Sequence, residues 1–423
     1  MSELIALAGD QEIGRVHMAR GHVSFRYAES WLAGGDWSFP LSLSMPLANP
    51  EHGNRVVAPY LSNLLPDNTD ILRRWRSRYG VRSRSAFDLL EHVGEECAGA
   101  IQFVRPERIE SVLARKTPPV QWLSEREIGI RLRELTEDPS AWRRESDLGH
   151  FSLSGAQPKT ALLFREGKWG IPSGRVPTTH ILKPPTAQFP GHAQNEHFCL
   201  TLARRLGLNA ALSKVLHFDG AAAVVIERFD RVTQGREVLR LHAEDFCQAL
   251  GIAPEYKYQN EGGPGAVAIA EMLRSTSSAA DEDVAAFADA LVFNWLIAGT
   301  DAHAKNYSLL IGLQGRVRLS PLYDIASVLA YEHIDFRAVK LAMSVGRHYR
   351  LDIIQSRHWR EAAKSLRLDP DLLIQRLLSM AEALPDAISS ASRTLEREGL
   401  RHPNLIRLRD GLRNRAAQIV RGA

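Results

Sequence analysis

The chain contains 423 residues, of which 44% are hydrophobic, and it carries a formal net charge of +4. This length and composition predict a globular protein with two or three well-buried domains. No run approaches the ~18 apolar residues of a membrane span and the first residues lack a signal-peptide pattern, so we expect a cytoplasmic protein. Cys97, Cys199 and Cys247 lie too far apart for a Cys-x-x-Cys metal site and do not form a paired disulfide framework.

Arginine is concentrated in two parts of the chain. The first group consists of Arg73, Arg74, Arg76, Arg78, Arg82 and Arg84, and the second of Arg393, Arg397, Arg401, Arg407, Arg409, Arg413, Arg415 and Arg421. Affinity for a polyanion grows with the number of phosphates that basic residues neutralise, so either group could contact nucleic acid. For the second group, a solvated helix face balanced by Asp and Glu is an equally good interpretation.

Residues 1–110 are predicted to form a separate α/β module. The predicted elements are a meander of strands over 3–27, helices over 58–78 and 86–92, and a strand over 99–104. Residues 111–149 are interpreted as a connector with one helix over 125–135.

From residue 150 the pattern changes, and the order of the predicted elements over 150–240 resembles the nucleotide-binding part of a kinase core. Its predicted elements are strands over 160–164, 180–183 and 222–229 and a helix over 194–206. Residues 241–423 are predicted to be helical, with helices over 243–250, 265–273 and 281–298 and four further helices between 357 and 420. A β-rich N-terminal lobe followed by an all-helical C-terminal lobe favours the α+β class and a two-lobed, protein-kinase-like fold.

The spacing of three polar residues in the helical part indicates phosphoryl transfer. Asp301 is followed by Asn306 five positions later and by Asp324 after a further 18 residues. In a kinase catalytic loop the first carboxylate accepts the proton of the attacking hydroxyl, while the amide oxygen and the second carboxylate are hard ligands for Mg²⁺. We therefore predict that Asp301 is the catalytic base and that Asn306 and Asp324 bind the metal.

A loop and a lysine upstream have the residue types that bind nucleotide phosphates. The loop Ser152-Leu-Ser-Gly-Ala-Gln-Pro-Lys-Thr160 offers backbone N–H groups, a lysine and a glycine that allows close approach, although it is not a Walker A sequence. A simple surface turn is an equally good interpretation of the loop alone. Lys183 ends a predicted strand before Pro184-Pro185, where a kinase keeps its phosphate-pairing lysine. Glu196 is predicted to form the positioning ion pair with Lys183, or else only to stabilise the start of its helix.

One segment and two single residues near these motifs have weaker signals. The segment Ile226-Glu-Arg-Phe229 falls where a kinase hinge would contact adenine. His303 more often holds a loop by packing than binds a metal, because no second His or Cys stands at ligand spacing near it. Lys305 could neutralise the transferring phosphate.

Taken together, these motifs resemble the HipA family of bacterial serine/threonine kinases, the toxins of HipBA-type toxin–antitoxin pairs. The resemblance is carried by 152–160, Thr178-Thr-His-Ile-Leu-Lys183, Asn195-Glu196, Glu227-Arg-Phe-Asp-Arg231, Lys257-Tyr258, Gly262-Gly-Pro-Gly265, Asn294-Trp-Leu-Ile297, Thr300-Asp-Ala-His-Ala-Lys-Asn306 and Pro321-Leu-Tyr-Asp-Ile325. The strands of 3–27 and Leu61-Ser-Asn-Leu-Leu-Pro-Asp67 also resemble the N-terminal module of that family.

The resemblance implies ATP and Mg²⁺ as cofactors and assigns roles to individual residues. Asp301 and Lys305 are the catalytic residues, and Ser152, or Ser154 beside it, is the autophosphorylation site that ejects the phosphate loop and shuts off the kinase. The implied ATP-binding residues are Leu153, Ser154, Gly155, Ala156, Gln157, Pro158, Lys159, Lys183, Glu227, Arg228, Phe229, His303, Asn306 and Asp324. Pro158 and Ala302 depart from the usual family residues, which are Glu and Gly.

The resemblance also implies partners. These are a HipB-like helix-turn-helix antitoxin, operator DNA bound mainly through the antitoxin complex, and a protein substrate such as an aminoacyl-tRNA synthetase, whose phosphorylation would arrest translation and growth. Two alternatives remain open from the residues alone. One is a small-molecule phosphotransferase, because the same three polar side chains serve any hydroxyl acceptor, and the other is a co-repressor that binds antitoxin without substrate kinase activity.

Overall fold

The computed structural model describes residues 2–113, 119–142, 152–186, 189–235 and 237–422. The chain divides into two compact units. The first consists of Met1–Pro184, His217–Glu255 and Ser308–Val317, and the second of Pro185–Leu216, Tyr256–Tyr307 and Arg318–Ala423. The predicted boundary at 149–150 lies outside the described residues.

The elements follow one another along the chain in three groups. The first group is β1 (Ser2–Ala8), β2 (Gln11–Ala19), β3 (His22–Tyr27), α1 (Glu29–Leu32), β4 (Glu51–His52), α2 (Asn54–Asn63), α3 (Thr69–Tyr79), α4 (Ala86–Val93), β5 (Ile101–Val104) and α5 (Ile109–Leu113). The second group is β6 (Val120–Leu123), α6 (Glu125–Glu137), β7 (Thr160–Arg165), β8 (Lys168–Pro172), β9 (His180–Lys183), α7 (His192–Arg205), β10 (Ser213–Phe218), β11 (Ala221–Glu227), β12 (Arg231–Gln234) and β13 (Glu237–Arg240). The third group is β14 (His242–Asp245), α8 (Phe246–Ala249), α9 (Ala266–Thr276), α10 (Ala280–Ile297), β15 (Ser308–Ile311), β16 (Val317–Leu319), β17 (Lys340–Val345), β18 (His348–Arg350), α11 (Ser356–Ser365), α12 (Pro370–Arg397) and α13 (Pro403–Gly422).

The predicted meander at the start of the chain is confirmed. β1, β2 and β3 are antiparallel neighbours in a five-stranded sheet of order β4-β3-β2-β1-β5. The turn between β2 and β3 consists of Arg20 and Gly21, which both have positive φ, and such a two-residue turn matches the twist of the strands that it joins. Along β3 every second residue is buried, so one face of the sheet packs into the core while the other faces solvent.

A second sheet of the first unit carries the predicted phosphate-binding residues. Its strands β11, β9, β7, β8 and β6 are neighbours in this order, and every pair is antiparallel. The stretch interpreted as a connector therefore contributes the edge strand β6. It also contributes α6, which starts with a capping box of Ser124 and Glu127 and packs against β11.

A buried cluster of charges joins the N-terminal residues of the first unit to its later strands. Glu96 accepts hydrogen bonds at Oε1 from Arg228 at 3.2 Å, from Arg231 at 3.0 Å and from the Thr178 hydroxyl at 2.7 Å. Arg240 pairs with its other carboxylate oxygen. Burial alone would raise the pKa of Glu96, but the three guanidinium groups lower it to about 2.

Asp230 belongs to the same cluster. Its carboxylate binds Arg228 at 2.8 Å and accepts the Gly99 N–H at 2.7 Å, and although burial opposes ionisation, Arg228 and Arg231 hold its pKa well below the usual range. We call Glu96, Arg228, Asp230, Arg231 and Arg240 the buried ion cluster. Each of these five charged groups pairs with at least one group of opposite charge, which offsets the cost of burying it.

The helices of the second unit pack around α12. This helix contacts α13, α11, α10 and α7, and it buries residues at intervals of three or four along its length, including Leu373, Leu377, Leu384, Ile388 and Leu395. In the described residues, no helix is long and apolar enough to cross a membrane.

Arg415 of α13 anchors the end of α10. Its guanidinium donates to the carbonyl oxygens of Trp295 and Leu296, with Nη2 at 2.8 Å from Trp295, and it stacks on the Trp295 ring at 5.0 Å. A cation that caps the last carbonyl groups of a helix is favoured by the helix dipole. Burial lowers the pKa of Arg415 to about 10. Among the C-terminal arginines, Arg415 is therefore a structural residue and not a surface contact for nucleic acid.

Two predictions about the C-terminal part were wrong. The lobe is not all-helical, because residues 241–423 contain the strands β14 to β18, and the predicted helix over 243–250 is instead strand β14 followed by the single turn α8. These strands have three to six residues, too few to give a clear alternation. After residue 355 the described chain contains three helices, not four, because α12 continues through Pro385.

Candidate active site

The loop that contains Asp301 starts where α10 ends. The N–H of Gly299 donates to the carbonyl oxygen of Asn294 at 2.7 Å. A Cβ atom at position 299 would lie 2.5 Å from Oδ1 of Asn294, so a larger residue would displace that side chain. The chain then forms a 3-10 turn over Ala304–Asn306. The close approach at Gly299 thus sets the direction in which the loop leaves the helix.

Asp301 presents its carboxylate to solvent. Its side chain is 68% exposed, and Oδ1 accepts a hydrogen bond from the Tyr258 hydroxyl at 2.6 Å. Nε2 of His303 lies 3.8 Å from the same oxygen. A general base must come within hydrogen-bond reach of the proton that it accepts. An accessible carboxylate that a tyrosine orients is suited to this role, and the role of Asp301 as the base stays a prediction.

The side chain of His303 is the buried part of the loop. It is 4% exposed, and its ring meets the Tyr258 ring edge-on, with centroids 4.9 Å apart. These contacts fit the interpretation that His303 holds the loop by packing. A contact between His303 and the nucleotide stays a prediction.

The main chain of the loop orients Asn306 and Lys305. Nδ2 of Asn306 donates to the carbonyl oxygen of Asp301 at 2.6 Å, which turns Oδ1 of the amide away from that carbonyl. Lys305 is 4% exposed, and its carbonyl oxygen accepts the Tyr323 hydroxyl at 2.7 Å. Because Tyr323 precedes Asp324, this bond joins the segment of Asp324 to the loop of Asp301 and Asn306. The neutralising role of Lys305 stays a prediction.

Asp324 has a left-handed backbone conformation, with φ of 55°. This region is sparsely populated by residues other than glycine, and such residues are common at functional sites. The chain after Asp324 is held firmly: Asn195 accepts the N–H of Ser327 at 3.1 Å and donates to its carbonyl oxygen at 2.8 Å. The Ser327 hydroxyl donates to the carbonyl oxygen of Ile297 at 2.5 Å. The conformation of Asp324 is therefore supported by the residues that follow it.

Asn306 and Asp324 have the donor atoms that Mg²⁺ prefers. An amide oxygen and a carboxylate are hard ligands, and Mg²⁺ is usually bound by one or two carboxylates together with waters and substrate phosphates. In the described part of the chain, no group of three or more His, Cys, Asp or Glu residues could hold a metal ion. Both residues therefore have donor atoms suited to a metal that is bound jointly with phosphates, and their binding of Mg²⁺ stays a prediction.

The predicted phosphate loop lies in the first unit, directly before β7. Gly155 has φ of 101°, and its carbonyl oxygen accepts the N–H of Asp67 at 3.2 Å. Lys159 is 4% exposed, and its Nζ donates to the carbonyl oxygen of Ser154 at 2.6 Å across the loop. A Cβ at position 155 would lie 2.6 Å from this Nζ, so the glycine lets the lysine fold back over the turn.

Ser152 is fully buried. Its hydroxyl donates to the carbonyl oxygen of Leu64 at 2.7 Å, and its N–H donates to the carbonyl oxygen of Glu96 at 2.8 Å. Ser154 is half-buried. Both the main chain and the side chain of Ser152 are thus bound to earlier residues of the same unit, Glu96 and Leu64.

Lys183 and Glu227 lie on neighbouring strands. Lys183 is the last residue of β9, as the prolines that follow it predict. It is 5% exposed, and it pairs with Val224 of β11. Glu227 ends β11 and is exposed, and Phe229 two residues later is half-buried. The Arg228 side chain points into the buried ion cluster, so any contribution of this residue to nucleotide binding would fall to its main chain.

Glu196 is a buried residue of α7 in the second unit. It is 0% exposed, and Nε2 of His192 lies 3.8 Å from its carboxylate. Glu196 is the fifth residue of α7, which begins at His192. The simpler interpretation, that Glu196 only stabilises the start of its helix, also stays a prediction. The pairing of Glu196 with Lys183 stays a prediction.

Two residues of the site had no role in the interpretation of the sequence. Tyr258 orients the proposed base, and Asn195 holds Ser327. Both belong to segments that carry the resemblance, yet Tyr258 lies 43 residues before Asp301 and Asn195 lies 132 residues before Ser327. The linear spacing alone does not indicate that these pairs meet.

Two family models match the chain. The HipA-like C-terminal domain matches residues 151–388, and the HipA N-terminal domain matches residues 4–104. The first match covers more than half of the chain and includes every proposed site residue.

Two relatives and one solved structure agree with these models. The chain is 35% identical over 371 residues to the putative kinase Y4mE of Sinorhizobium fredii, covering 87% of this chain and 86% of that protein. It is 31% identical over 408 residues to the serine/threonine-protein kinase toxin HipA of Shewanella oneidensis, covering 90% of this chain and 87% of that protein. A structure of the Shewanella oneidensis HipA, HipB and operator DNA complex superposes with a TM-score of 0.83 and 26% identity, covering 99% of this chain and 97% of the other. The chain belongs to the HipA family.

Proposed function

We propose that this chain is an ATP-dependent serine/threonine-protein kinase and the toxin of a type II toxin–antitoxin pair. The observation that carries the proposal is the accessible Asp301 carboxylate, oriented by Tyr258, with the Asn306 amide fixed on the Asp301 carbonyl oxygen. Membership of a family whose named members include a serine/threonine-protein kinase toxin supports it.

In the proposed reaction, Asp301 accepts the proton of a serine or threonine hydroxyl. The hydroxyl oxygen forms a bond to the γ-phosphorus of ATP while the bond from that phosphorus to the β,γ-bridging oxygen breaks, so ADP leaves with the electron pair. Mg²⁺, when bound by Asn306 and Asp324 with the phosphates, would neutralise charge on them. Residues 153–159 and Lys183 are assigned to the phosphates, Glu227 and Phe229 to the adenine, and Glu196 to the positioning of Lys183.

The proposed partners follow from the family. A relative is found in a complex with HipB and operator DNA, which supports a HipB-like helix-turn-helix antitoxin as a partner here, with DNA bound mainly through that antitoxin. We propose the cytoplasm as the location and an aminoacyl-tRNA synthetase as the substrate, whose phosphorylation would arrest translation and growth. The exposure of Asp301 favours a protein acceptor over a small molecule, which would need an enclosed pocket.

We further propose that autophosphorylation at Ser152 turns the kinase off. The Ser152 hydroxyl must first leave the Leu64 carbonyl oxygen to which it donates. A phosphoserine carries close to two negative charges and has no proton to donate to that carbonyl, so it could not return to the same buried position. The modified loop would therefore stay displaced from the residues that hold it.

Ser152→Ala is expected to abolish incorporation of label from [γ-³²P]ATP into the protein itself while preserving phosphorylation of other proteins. Tandem mass spectrometry of the wild-type protein should locate the phosphate on Ser152. Ser154→Ala is the matched control and should still be labelled. Label that is retained in Ser152→Ala and lost in Ser154→Ala would instead assign the modification to Ser154.

The substrate can be found with the same reagents. The purified protein, [γ-³²P]ATP and MgCl₂ are added to a dialysed cell lysate, and newly labelled proteins are identified by mass spectrometry, with Asp301→Asn protein in the parallel reaction. A labelled synthetase in the first reaction alone supports the proposal. If only small molecules in an undialysed lysate become labelled, the chain is a small-molecule phosphotransferase.

A further inference from the structure

A cavity of about 560 Å³ lies in the second unit, between the end of α12 and the start of α13. Its apolar wall includes Phe198 of α7 with Leu395, Leu400 and Leu405, which are all buried. Ile406 stands at the opening and is 57% exposed. A volume between about 300 and 1,000 Å³ with mostly apolar walls is typical of a binding pocket. None of these residues belongs to the proposed phosphoryl-transfer site.

A row of three arginines runs beside this pocket: Arg401 lines it, and Arg393 and Arg397 line an adjoining depression together with Glu396, which also lines the pocket. Arg393, Arg397 and Arg401 are exposed and stand four residues apart, so Arg393 and Arg397 lie on one face of α12, about 6 Å apart along its axis. Within the described ranges of the chain, none of the three has a carboxylate at ion-pair distance. Of the acidic residues at this end of α12, Glu396 pairs with Arg409 at 3.2 Å, and Glu398 forms a hydrogen bond with His197 at 2.8 Å. The mouth of the pocket therefore has an excess of positive charge.

The segment around the pocket is held in place by specific contacts. Asn404 donates to the carbonyl oxygen of Pro190 at 2.6 Å, and its N–H donates to Nδ1 of His402 at 3.2 Å. A Cβ on Gly191 would lie 2.5 Å from the His402 ring, so the turn before α13 packs directly on the turn before α7. The pocket is thus preformed, which reduces the ordering cost of binding.

We propose that this pocket binds an acidic peptide segment of a partner protein. Two large apolar side chains of the peptide occupy the cavity, and flanking carboxylates pair with Arg393, Arg397 and Arg401. The charge complementarity selects an anionic occupant, and the length of the row selects a peptide, because a small organic acid in the cavity would reach only the nearest arginine. A nucleic acid would neutralise the row but would leave the apolar cavity unfilled.

The test uses the full-length protein and a synthetic fluorescein-labelled peptide, measured by fluorescence anisotropy. The probe has Leu-Trp at its centre and three Glu or Asp residues on each side. A second peptide replaces the acids with Gln and Asn, and a third replaces Leu-Trp with Ser-Ser. We expect the probe to bind with a Kd in the micromolar range and each altered peptide to bind at least about tenfold more weakly.

Arg401→Glu and Ile406→Asp change exposed side chains of the pocket mouth, so both variants should fold, and each is expected to weaken binding of the probe by about tenfold or more. Arg421→Glu makes the same change of charge on α13 away from the pocket and should bind like the wild type. Equal affinity of Arg401→Glu and Arg421→Glu, or no binding at ~1 mM protein, would overturn the proposal. Two results of competition experiments would also overturn the proposal. One is displacement of the probe by octanoate as readily as by unlabelled peptide. The other is displacement of the probe by duplex DNA from the wild type but not from Arg401→Glu.

Discussion

Replacing Asp301 with Asn is expected to reduce phosphoryl transfer about 100-fold or more, because the amide cannot accept the proton of the attacking hydroxyl. The fold should be almost unaffected. The side chain is 68% exposed, and an Asn amide oxygen can still accept the hydrogen bond from Tyr258. The measurement is the initial rate of phosphate transfer from [γ-³²P]ATP, together with the apparent Tm.

Two further variants make this result specific. Asp386→Asn changes an exposed carboxylate of α12 outside the site and should keep full activity. Tyr258→Phe removes the hydroxyl that orients the base and should lower the rate less than Asp301→Asn does, since the carboxylate remains. Undiminished transfer by Asp301→Asn would remove the general-base role, and a lowered Tm would indicate that the loss reflects unfolding.

Glu96→Gln is expected to destabilise the first unit by roughly 3–5 kcal/mol, because it leaves buried guanidinium groups without their shared carboxylate. Arg228, Arg231 and Arg240 all pair with Glu96. For a unit of this size, that loss corresponds to a decrease in Tm of roughly 10 °C. Glu51→Gln is the matched control, because Glu51 forms its ion pair with Arg26 on the surface. An exposed pair contributes at most about 1 kcal/mol.

Cysteine alkylation can locate the effect of Glu96→Gln within the chain. Cys97 is buried beside the ion cluster, and its carbonyl oxygen accepts Arg228 at 2.9 Å, whereas Cys199 is buried in the second unit. Iodoacetamide labelling of the native variant, followed by mass spectrometry, should be faster at Cys97 and unchanged at Cys199. Equal rates at Cys97 in the variant and the wild type would contradict a stabilising role for the cluster.

The same carboxylate predicts the direction of acid sensitivity. The pKa of Glu96 is lowered from 4.5 to about 2 in the folded protein, so its contribution is complete above pH 4.5 and is lost as the pH falls toward 2. This shift corresponds to a loss on the order of 3 kcal/mol. The Tm of the wild type should therefore fall across this range more steeply than that of Glu96→Gln.

The structure agrees best with the interpretation of the sequence where the signal is local. Asp301 and Asn306 lie in one loop, and the prolines after Lys183 ended its strand where the spacing had indicated. The short strand β14 was mistaken for a helix because a four-residue strand that leads into one helical turn has no distinct periodicity.

The contacts that the sequence did not predict join residues far apart in the chain. The side chain of Arg228 binds Glu96, which lies 132 residues earlier, while the contact of Arg228 with ATP stays a prediction. Arg415 was grouped with surface arginines, yet it caps a helix that ends 118 residues before it, at Ile297. In a single sequence, a charged residue that is buried in an ion pair cannot be told from one that is solvated at the surface. Only its neighbours in the three-dimensional structure distinguish these two cases.

The anchoring of α10 by Arg415 has a consequence for the time at which activity begins. A ribosome adds Arg415 more than 90 residues after Asp324, when the whole segment from Asp301 to Asp324 has already been made. Until then the helix that precedes the loop lacks the guanidinium that binds its final carbonyl groups. For a kinase proposed to act on the translation apparatus, this order of synthesis would delay full activity until Arg415 has been made and can bind those carbonyl groups.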